Sequence, residues 1–499
     1  GQHSGGAILH LTPEAEGEVN VVIEYSNIAG GESSIIDADS LVYENNIDVD
    51  SRFVDSENGD FHLLATSPCI NSGDPEDVDP GSTLWDIRAD MGAYPYLVNH
   101  ENQSFYVEEN GSDVYGIGTT GDPFASIQAG LNFAGADHII HVSTGTYVEN
   151  IIWPAISGIS LVGADRETTI IDGGAAATVV SLTDVGDASI SGFTITNGQF
   201  EENEDASLKR SGGINLFGST NATLSDLHLT ENAGYSGGAI YVENNSHCEL
   251  SNSLLDYNNT ATFGAGIMVD GVLNLNFVDI VYNSSAIYFY YGQAEINNSK
   301  ISHNDSGISI VGANWGEAND WESPGLIFNN VEIADNKVGS TQGQIEIATS
   351  VGWSSTSKIV FNNVTIAMSD TLSWPGSGIE LYPVQVHIDL EFHNSIIGSH
   401  AAGGILNTAP ENDGNANVII DYSDIVGGES SLIDIENLTY DSSNIDEDPE
   451  FVDPEDGNYN LQSTSHCIDA GTADTDGDGV DDITDFNGYA PDMGAYESE

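Results

Sequence analysis

One short phrase recurs along the chain: an apolar residue, two or three polar or small residues, then two apolar positions flanking a polar one. It reads ASISGFTITN (188–197), ATLSDLHLTEN (222–232), CELSNSLLDYN (248–258) and LNLNFVDIVYN (273–283). It continues as AEINNSKISHN (294–304), LIFNNVEIADN (326–336), IVFNNVTIAMS (359–369), LEFHNSIIGSH (390–400) and VIIDYSDIVGG (418–428). Shorter apolar runs stand between these copies: GGINLF, GGAIYV, AGIMVD, SAIYFY, SGISIV, GQIEIA, SGIELY and GGILNT. One such repeat cannot bury its apolar side chains alone, so the pattern demands a stack of turns in which each covers the next. Alternate strand residues point inward, and Gly and Asn supply the tight corners. Asn232, Asn258, Asn283, Asn304 and Asn336 share one register, which predicts a structural Asn ladder at a corner rather than a catalytic set. The irregular spacing and the absence of LxxLxL argue against a leucine-rich horseshoe. The expected fold class is all-β, a solenoid of parallel strands.

These residues resemble the right-handed parallel β-helix of the pectate-lyase-like superfamily, in its non-enzymatic surface-protein branch. The stretch FYVEENGSDVYGIGTTGDPFASIQAGLNFAGADHIIHVSTGTYVENI (105–151) is similar to the opening segment of such domains. The resemblance implies a short amphipathic helix that plugs the solenoid, with Ile127, Leu131 and Phe133/Ala134 on its apolar face. GISLVGADRETTIIDGG (158–174) looks like the turn that follows.

A longer repeat sets the domain organisation. Residues 1–45 align without gaps on 398–442 at a constant offset of 397. After a one-residue insertion, FVDSENGDFHLLATSPCINSG (53–73) matches FVDPEDGNYNLQSTSHCIDAG (451–471), and DMGAY closes both copies (90–94 and 492–496). Residues 1–97 therefore read as the last turns and end cap of one module. Residues 98–499 read as a full module: an N-terminal cap (98–150), solenoid turns (151–428) and a C-terminal cap (429–499). The expectation is a tandem array, with neighbouring modules or subunits meeting end to end.

Charge narrows the partners. The 499 residues carry 79 Asp plus Glu against 8 Lys plus Arg, a formal net charge of −71. Such a polyanion repels nucleic acid and anionic lipid, and its self-repulsion favours a salt- or calcium-containing medium. No apolar stretch approaches the roughly 20 residues that span a bilayer. An extracellular or cell-surface protein is expected, with signal and anchor outside this chain. Cys69, Cys248 and Cys467 are too few for a disulfide framework and read as buried small hydrophobes.

The strongest local motif is DTDGDGVDDITD (474–485). Asp474, Asp476, Asp478, Val480, Asp482 and Asp485 fall at positions 1, 3, 5, 7, 9 and 12 of a calcium loop, with Gly479 at the turn. Calcium takes six to eight hard oxygens, and this spacing wraps alternate carboxylates around one ion. The loop resembles those of dockerin and thrombospondin-type repeats, so a structural Ca²⁺ is expected. No catalytic set is expected. The lyases of the superfamily need a base beside calcium-neutralised carboxylates, and Lys300, next to His303, is the best candidate in a chain poor in bases. The NTD, DD, GHG and RIK motifs of its hydrolases cannot be assembled. Trp315, Trp321 and Trp353 sit in loops of consecutive turns, with Trp374 in another, and form a candidate surface for sugars or a partner. The expected function is a non-enzymatic structural or adhesive rod or filament stiffened by calcium. The alternative is a polysaccharide-active enzyme, lyase or glycoside hydrolase, or a carbohydrate-binding β-helix module.

Overall fold

A computed structural model describes residues 8–9, 20–36, 40–77, 89–94, 104–114, 116–200, 211–311, 325–337, 343–349, 356–369, 376–383, 387–410, 415–475 and 477–498. The chain is a parallel β-helix. Its strands belong mostly to two long sheets, one of 18 strands and one of 11, each built by pairing a strand with its counterpart one turn away. Register is kept over the whole stack. Phe105 pairs with Ile140, and the column continues through Leu161, Ile190, Leu224, Leu250, Leu275, Ile296, Phe328, Phe361 and Phe392 to Ile420 and Tyr440. From Phe105 to Ile420 these side chains are buried in one continuous core. Near its C-terminal end the column is aromatic, with Phe361 stacked between Phe328 (5.0 Å) and Phe392 (4.5 Å).

The long strands of the first sheet bend where one residue takes a left-handed conformation, such as Asn252, Asn298, Asn330, Asn363 and Asn394, a site that Asn tolerates better than most. At the next corner the side-chain amide of Asn232 donates to Asn258 (3.1 Å), Asn258 to Asn283 (3.0 Å), Asn283 to Asn304 (3.1 Å) and Asn304 to Asn336 (2.8 Å). Each of these oxygens also accepts the backbone N–H of the preceding Asn. The ladder so satisfies peptide groups that the bend removes from the sheets.

The helix Ile127–Phe133 buries Ile127, Ala129, Leu131 and Phe133 at the start of the stack. Ser126 caps it, and the Glu149 carboxylate accepts the N–H groups of Ile127 (2.8 Å) and Gln128 (2.9 Å). Outside the helix lies the first copy of the long repeat: the Asn132 amide donates to Ala65 and Ser67 carbonyls, and the Asn71 amide donates back to Asn132. The two copies fold alike. Asn20–Glu24 pairs with Ser40–Glu44 as Asn417 to Ile420 pairs with Asn437 to Tyr440, and Phe53–Asp55 meets Asp60–Leu63 as Phe451–Asp453 meets Asn458–Leu461.

The segment 451–498 runs back along the flank of the first sheet. Outward Ala334 and Ala367 receive Tyr459, and Ile396 receives Cys467 and Met493. Tyr459 donates to Asp335 (2.8 Å) and Tyr496 to Glu332 (2.7 Å), while Asn363 and Asn394 amides donate to the Asp492 and Thr472 carbonyls. The small and apolar outward positions of these turns explain the seat, for the segment buries them. Among the described residues no helix is long and apolar enough to cross a membrane, and all three cysteines are free and buried.

Candidate active site

The candidate site lies on the outer face of the second sheet. Its inward residues alternate strictly: Ile308 and Ile310, Ile345 and Ile347, Ile379 and Leu381 are buried in the core. The residues between and after them therefore face outward. One outward row reads Tyr288, Ser309, Glu346, Glu380 on four successive strands, and the row beside it reads Tyr290, Val311, Ala348, Tyr382. Tyr290 and Tyr382, 37% and 46% exposed, stand at the two ends of that row, with Val311 and Ala348 between them. Three strand spacings separate them, about 14 Å at the usual distance of roughly 4.8 Å between neighbours.

Glu346 and Glu380 are paired in register on adjacent strands. Like charges placed side by side on a sheet destabilise it, and here both are partly withdrawn from water. Burial pushes the carboxyl of Glu346 above the ordinary range. Burial also raises Glu380, which is only 7% exposed; the Thr408 hydroxyl opposes the shift and the charge of Glu346 adds to it. One Glu380 carboxylate oxygen, Oε2, is buried without a hydrogen-bond partner. Burial and the neighbouring charge thus both oppose ionising the two carboxyls together.

The row continues past Tyr288 with aromatic and acidic groups. Tyr241, Met268 and Tyr288 pack together on the outside of the solenoid, with Phe217 and Val311 against them. Phe263 stacks on Tyr288 at 4.4 Å, and the Tyr241 hydroxyl donates to Asp270 Oδ2 at 2.9 Å. Burial beside Asp270 raises the Tyr241 phenol far above its ordinary value. Sequence reasoning missed this face. The signal was present in GQIEIA and SGIELY, where a glutamate occupies the middle of two aligned apolar strands.

The residues singled out from sequence lie elsewhere. Lys300 Nζ sits 2.8 Å from Glu332 Oε1 and donates to the Gly457 carbonyl (3.1 Å), so its ammonium is held beneath the C-terminal segment rather than presented as a base. His303 lies 3.8 Å from Asp335 and beside Tyr282. Two further histidines of the first sheet's flank are structural: His393 is bonded to Asp421 and His400 to the Gly398 carbonyl, and burial lowers His400 to about 4, a neutral ring. Trp315, Trp321, Trp353 and Trp374 lie outside the described residues. In the acidic loop Asp474 accepts the N–H groups of Gly477 and Gly479 (both 2.8 Å), Asp478 accepts that of Val480 (2.8 Å), and Asp482 accepts from Thr475 (2.9 Å). Asp476 lies outside the described residues, and among those described no three His, Cys, Asp or Glu side chains gather round one point.

No family model and no curated protein matches the chain. Solved structures do. Pectate lyase Pel9A is similar at 14% identity and a TM-score of 0.34, over 79% of this chain and 96% of that one. The A-module of mannuronan C-5 epimerase AlgE6 from Azotobacter vinelandii follows at 12% and 0.36, over 65% and 94%. The lacto-N-biosidase of family GH136 from Eubacterium ramulus stands at 12% and 0.35, over 69% and 67%. Likeness at this level concerns the course of the chain alone. The expectation of a non-enzymatic adhesive rod or filament is corrected: the named neighbours are enzymes. Stacking alone, from which the rod was inferred, is a property of the fold and says nothing of activity.

Proposed function

We propose that this chain is a polysaccharide-active enzyme, a glycoside hydrolase that works on the outer face of the second sheet. The observation that carries the reading is the in-register pair Glu346 and Glu380, both partly withdrawn from water, on an outward face that also carries the exposed Tyr290 and Tyr382. In-register residues on neighbouring strands have backbones about 4.8 Å apart, close to the roughly 5–5.5 Å between carboxyls that a retaining mechanism uses. Glu380, the more buried, holds the proton as general acid; Glu346, the more open, is the nucleophile. In the first step the Glu346 carboxylate forms a bond to the anomeric carbon, the glycosidic C–O bond breaks, and the Glu380 proton passes to the departing oxygen. In the second, Glu380 takes a proton from water, whose oxygen displaces Glu346 from the same carbon. Tyr290 and Tyr382 offer apolar ring area for sugar faces on either side.

Hydrolysis is favoured over elimination. A lyase needs a free base beside a neutralised uronate, and Lys300 is bound to Glu332 and Gly457. The loop 474–485 supports a separate proposal, a structural Ca²⁺ held by Asp474, Asp476, Asp478, Asp482, Asp485 and the Val480 carbonyl, away from this face and outside the chemistry. Incubating the full chain with a panel of soluble glycans and measuring new reducing ends tests the function. Release that disappears in Glu346→Gln and Glu380→Gln, with the far-UV spectrum unchanged, is expected. Products carrying the ultraviolet absorbance of an unsaturated sugar would replace hydrolysis by elimination, and no release from any glycan would refute the reading.

A further inference from the structure

A cleft of about 1250 Å³ lies between the first copy of the long repeat and the opening of the solenoid, and what it binds is independent of the hydrolase reading. It exceeds the roughly 300–1,000 Å³ of an ordinary small-molecule site. Several polar groups of its wall are occupied with one another. Gln128 bonds the Asn132 side chain and the Ile152 backbone, Asn132 bonds the Ala65 and Ser67 carbonyls, and both Glu149 oxygens cap the helix. What remains is apolar surface and hydrogen-bond donors. Val49 from the first copy and Val148 and Ile152 from the solenoid line the cleft and are exposed. Trp153, in the same wall and 3% exposed, buries an indole N–H that has no hydrogen-bond partner. Arg52 lines the cleft too, and its guanidinium donates to the Thr66 carbonyl (2.9 Å). In a chain with 79 acids, Arg166, Lys300, Lys337 and Lys358 are each paired with a carboxylate, and among the described Lys and Arg side chains Arg52 alone is not.

The two copies of the long repeat differ where the first borders the cleft. Val49, Arg52 and Asn71 stand where the second copy has Glu447, Glu450 and Asp469. The backbone is alike at all three. The N–H groups of Val49 and Glu447 go to Asn27 and Asp424, those of Arg52 and Glu450 to Asp50 and Asp448, and those of Asn71 and Asp469 to Asp90 and Asp492. Local conformation therefore does not dictate the exchange of three acids for an apolar residue, a base and an amide. Asn71 is accounted for by its bond to the Asn132 carbonyl (2.7 Å); Val49 and Arg52 are left for a ligand. We infer that this cleft binds an anion with an apolar body, an alkyl or aryl carboxylate, its carboxylate on the Arg52 guanidinium and its body against Val49, Val148 and Ile152. The planar fork of an arginine matches a carboxylate with two parallel hydrogen bonds, and covering exposed apolar side chains adds to the binding. The field of a chain with net charge −71 attracts cations and repels anions, so an anion is held here by these local groups alone.

Calorimetric titration of the full chain at neutral pH and physiological salt, without divalent ions, tests this with phenylbutyrate, phenylbutylammonium and acetate. Expected is saturable binding of phenylbutyrate, about tenfold or more tighter than either of the others, the scale of a hydrogen-bonded charge. Arg52→Gln should weaken it by about the same factor, Arg52→Lys by less, and Ile152→Ser, at an exposed position, severalfold. Lys337→Gln removes an equal charge at the corner of the first sheet and should leave binding unchanged. Thermal midpoints check each fold; if Arg52→Gln is destabilised, Ile152→Ser and Val148→Ser, both at exposed positions, carry the test. Phenylbutylammonium binding as tightly as phenylbutyrate, or an equal loss in Lys337→Gln, would show the general field at work and overturn the inference. Phenylbutyrate binding that Arg52→Gln leaves unchanged would overturn it too, reducing Arg52 to a counter-charge for the buried Glu149. Absence of saturable phenylbutyrate binding would remove the site altogether.

Discussion

Replacing Asp424 by Asn should stabilise the protein at neutral pH and do less so in mild acid. Asp424 is fully buried, and among the described residues its oxygens accept only the Glu447 N–H (3.2 Å) and the Cys467 thiol (3.2 Å). Burial first, then the nearby charges of Asp446 and Glu447, raise its carboxyl from 3.8 to about 6 against those two bonds. A carboxyl raised in the folded state binds its proton more tightly there than in the unfolded chain. Stability is therefore lost as pH climbs from about 4 to about 6 and stays lost above. At 1.36 kcal/mol per pKa unit the full cost is about 3 kcal/mol at pH 7.5, and roughly half of that at pH 5. The first copy of the repeat carries the substitution already. Asn27 occupies the matching place and accepts the Val49 N–H (3.2 Å), while its amide donates to the Val49 carbonyl (2.9 Å), the Ser51 hydroxyl (3.0 Å) and the Cys69 sulfur (3.2 Å). Urea unfolding of both proteins at pH 5 and pH 7.5, at one ionic strength, measures the difference. A gain that grows with pH is expected. A gain of the same size at both pH values, or a loss at pH 7.5, would refute the argument that a desolvated charge sits there.

Asn283→Ala should cost about 1–3 kcal/mol, because it removes amide bonds to Leu255 and Asn304 and leaves the buried Asn258 N–H without its acceptor; a change below about 0.5 kcal/mol in urea would show that the ladder carries little. If the 474–485 loop holds calcium, a chelator at fixed ionic strength lowers the thermal midpoint, as loss of any ligand bound only by the folded state must, and Asp474→Asn, Asp478→Asn removes the response; an unchanged midpoint refutes a structural ion. Tyr290→Ala should weaken glycan binding without moving the thermal midpoint, since the ring is partly exposed; unchanged affinity would remove that tyrosine from the site.

The stack was legible from sequence because its cause is local. Alternation within each strand and the fixed place of Asn232, Asn258, Asn283, Asn304 and Asn336 after it repeat in the chain as they repeat in space. The seat of the C-terminal segment was not legible: it depends on Ala334, Ala367 and Ile396 facing outward on three different turns, and on Tyr459 and Tyr496 finding Asp335 and Glu332 more than a hundred residues away. The carboxyl pair was hidden for another reason. In a chain with 79 acidic residues, a glutamate at the centre of an apolar strand looks like any outward position, and Glu346 becomes the neighbour of Glu380 only when the register of two turns separated by loops of unequal length is known. Conversely Lys300 drew attention because bases are scarce, and the fold spends its charge on Glu332.

The claim that Glu346 and Glu380 act as a nucleophile and acid across one strand spacing is tested most directly by the configuration of the first-formed product. Proton NMR of the anomeric signals, recorded in the opening minutes of glycan cleavage before mutarotation, reads it. A product with the anomeric configuration of the bond that was broken is predicted, with no signal from Glu346→Gln. An inverted product would contradict the account, because a pair this close leaves no room for a water between carboxylate and sugar.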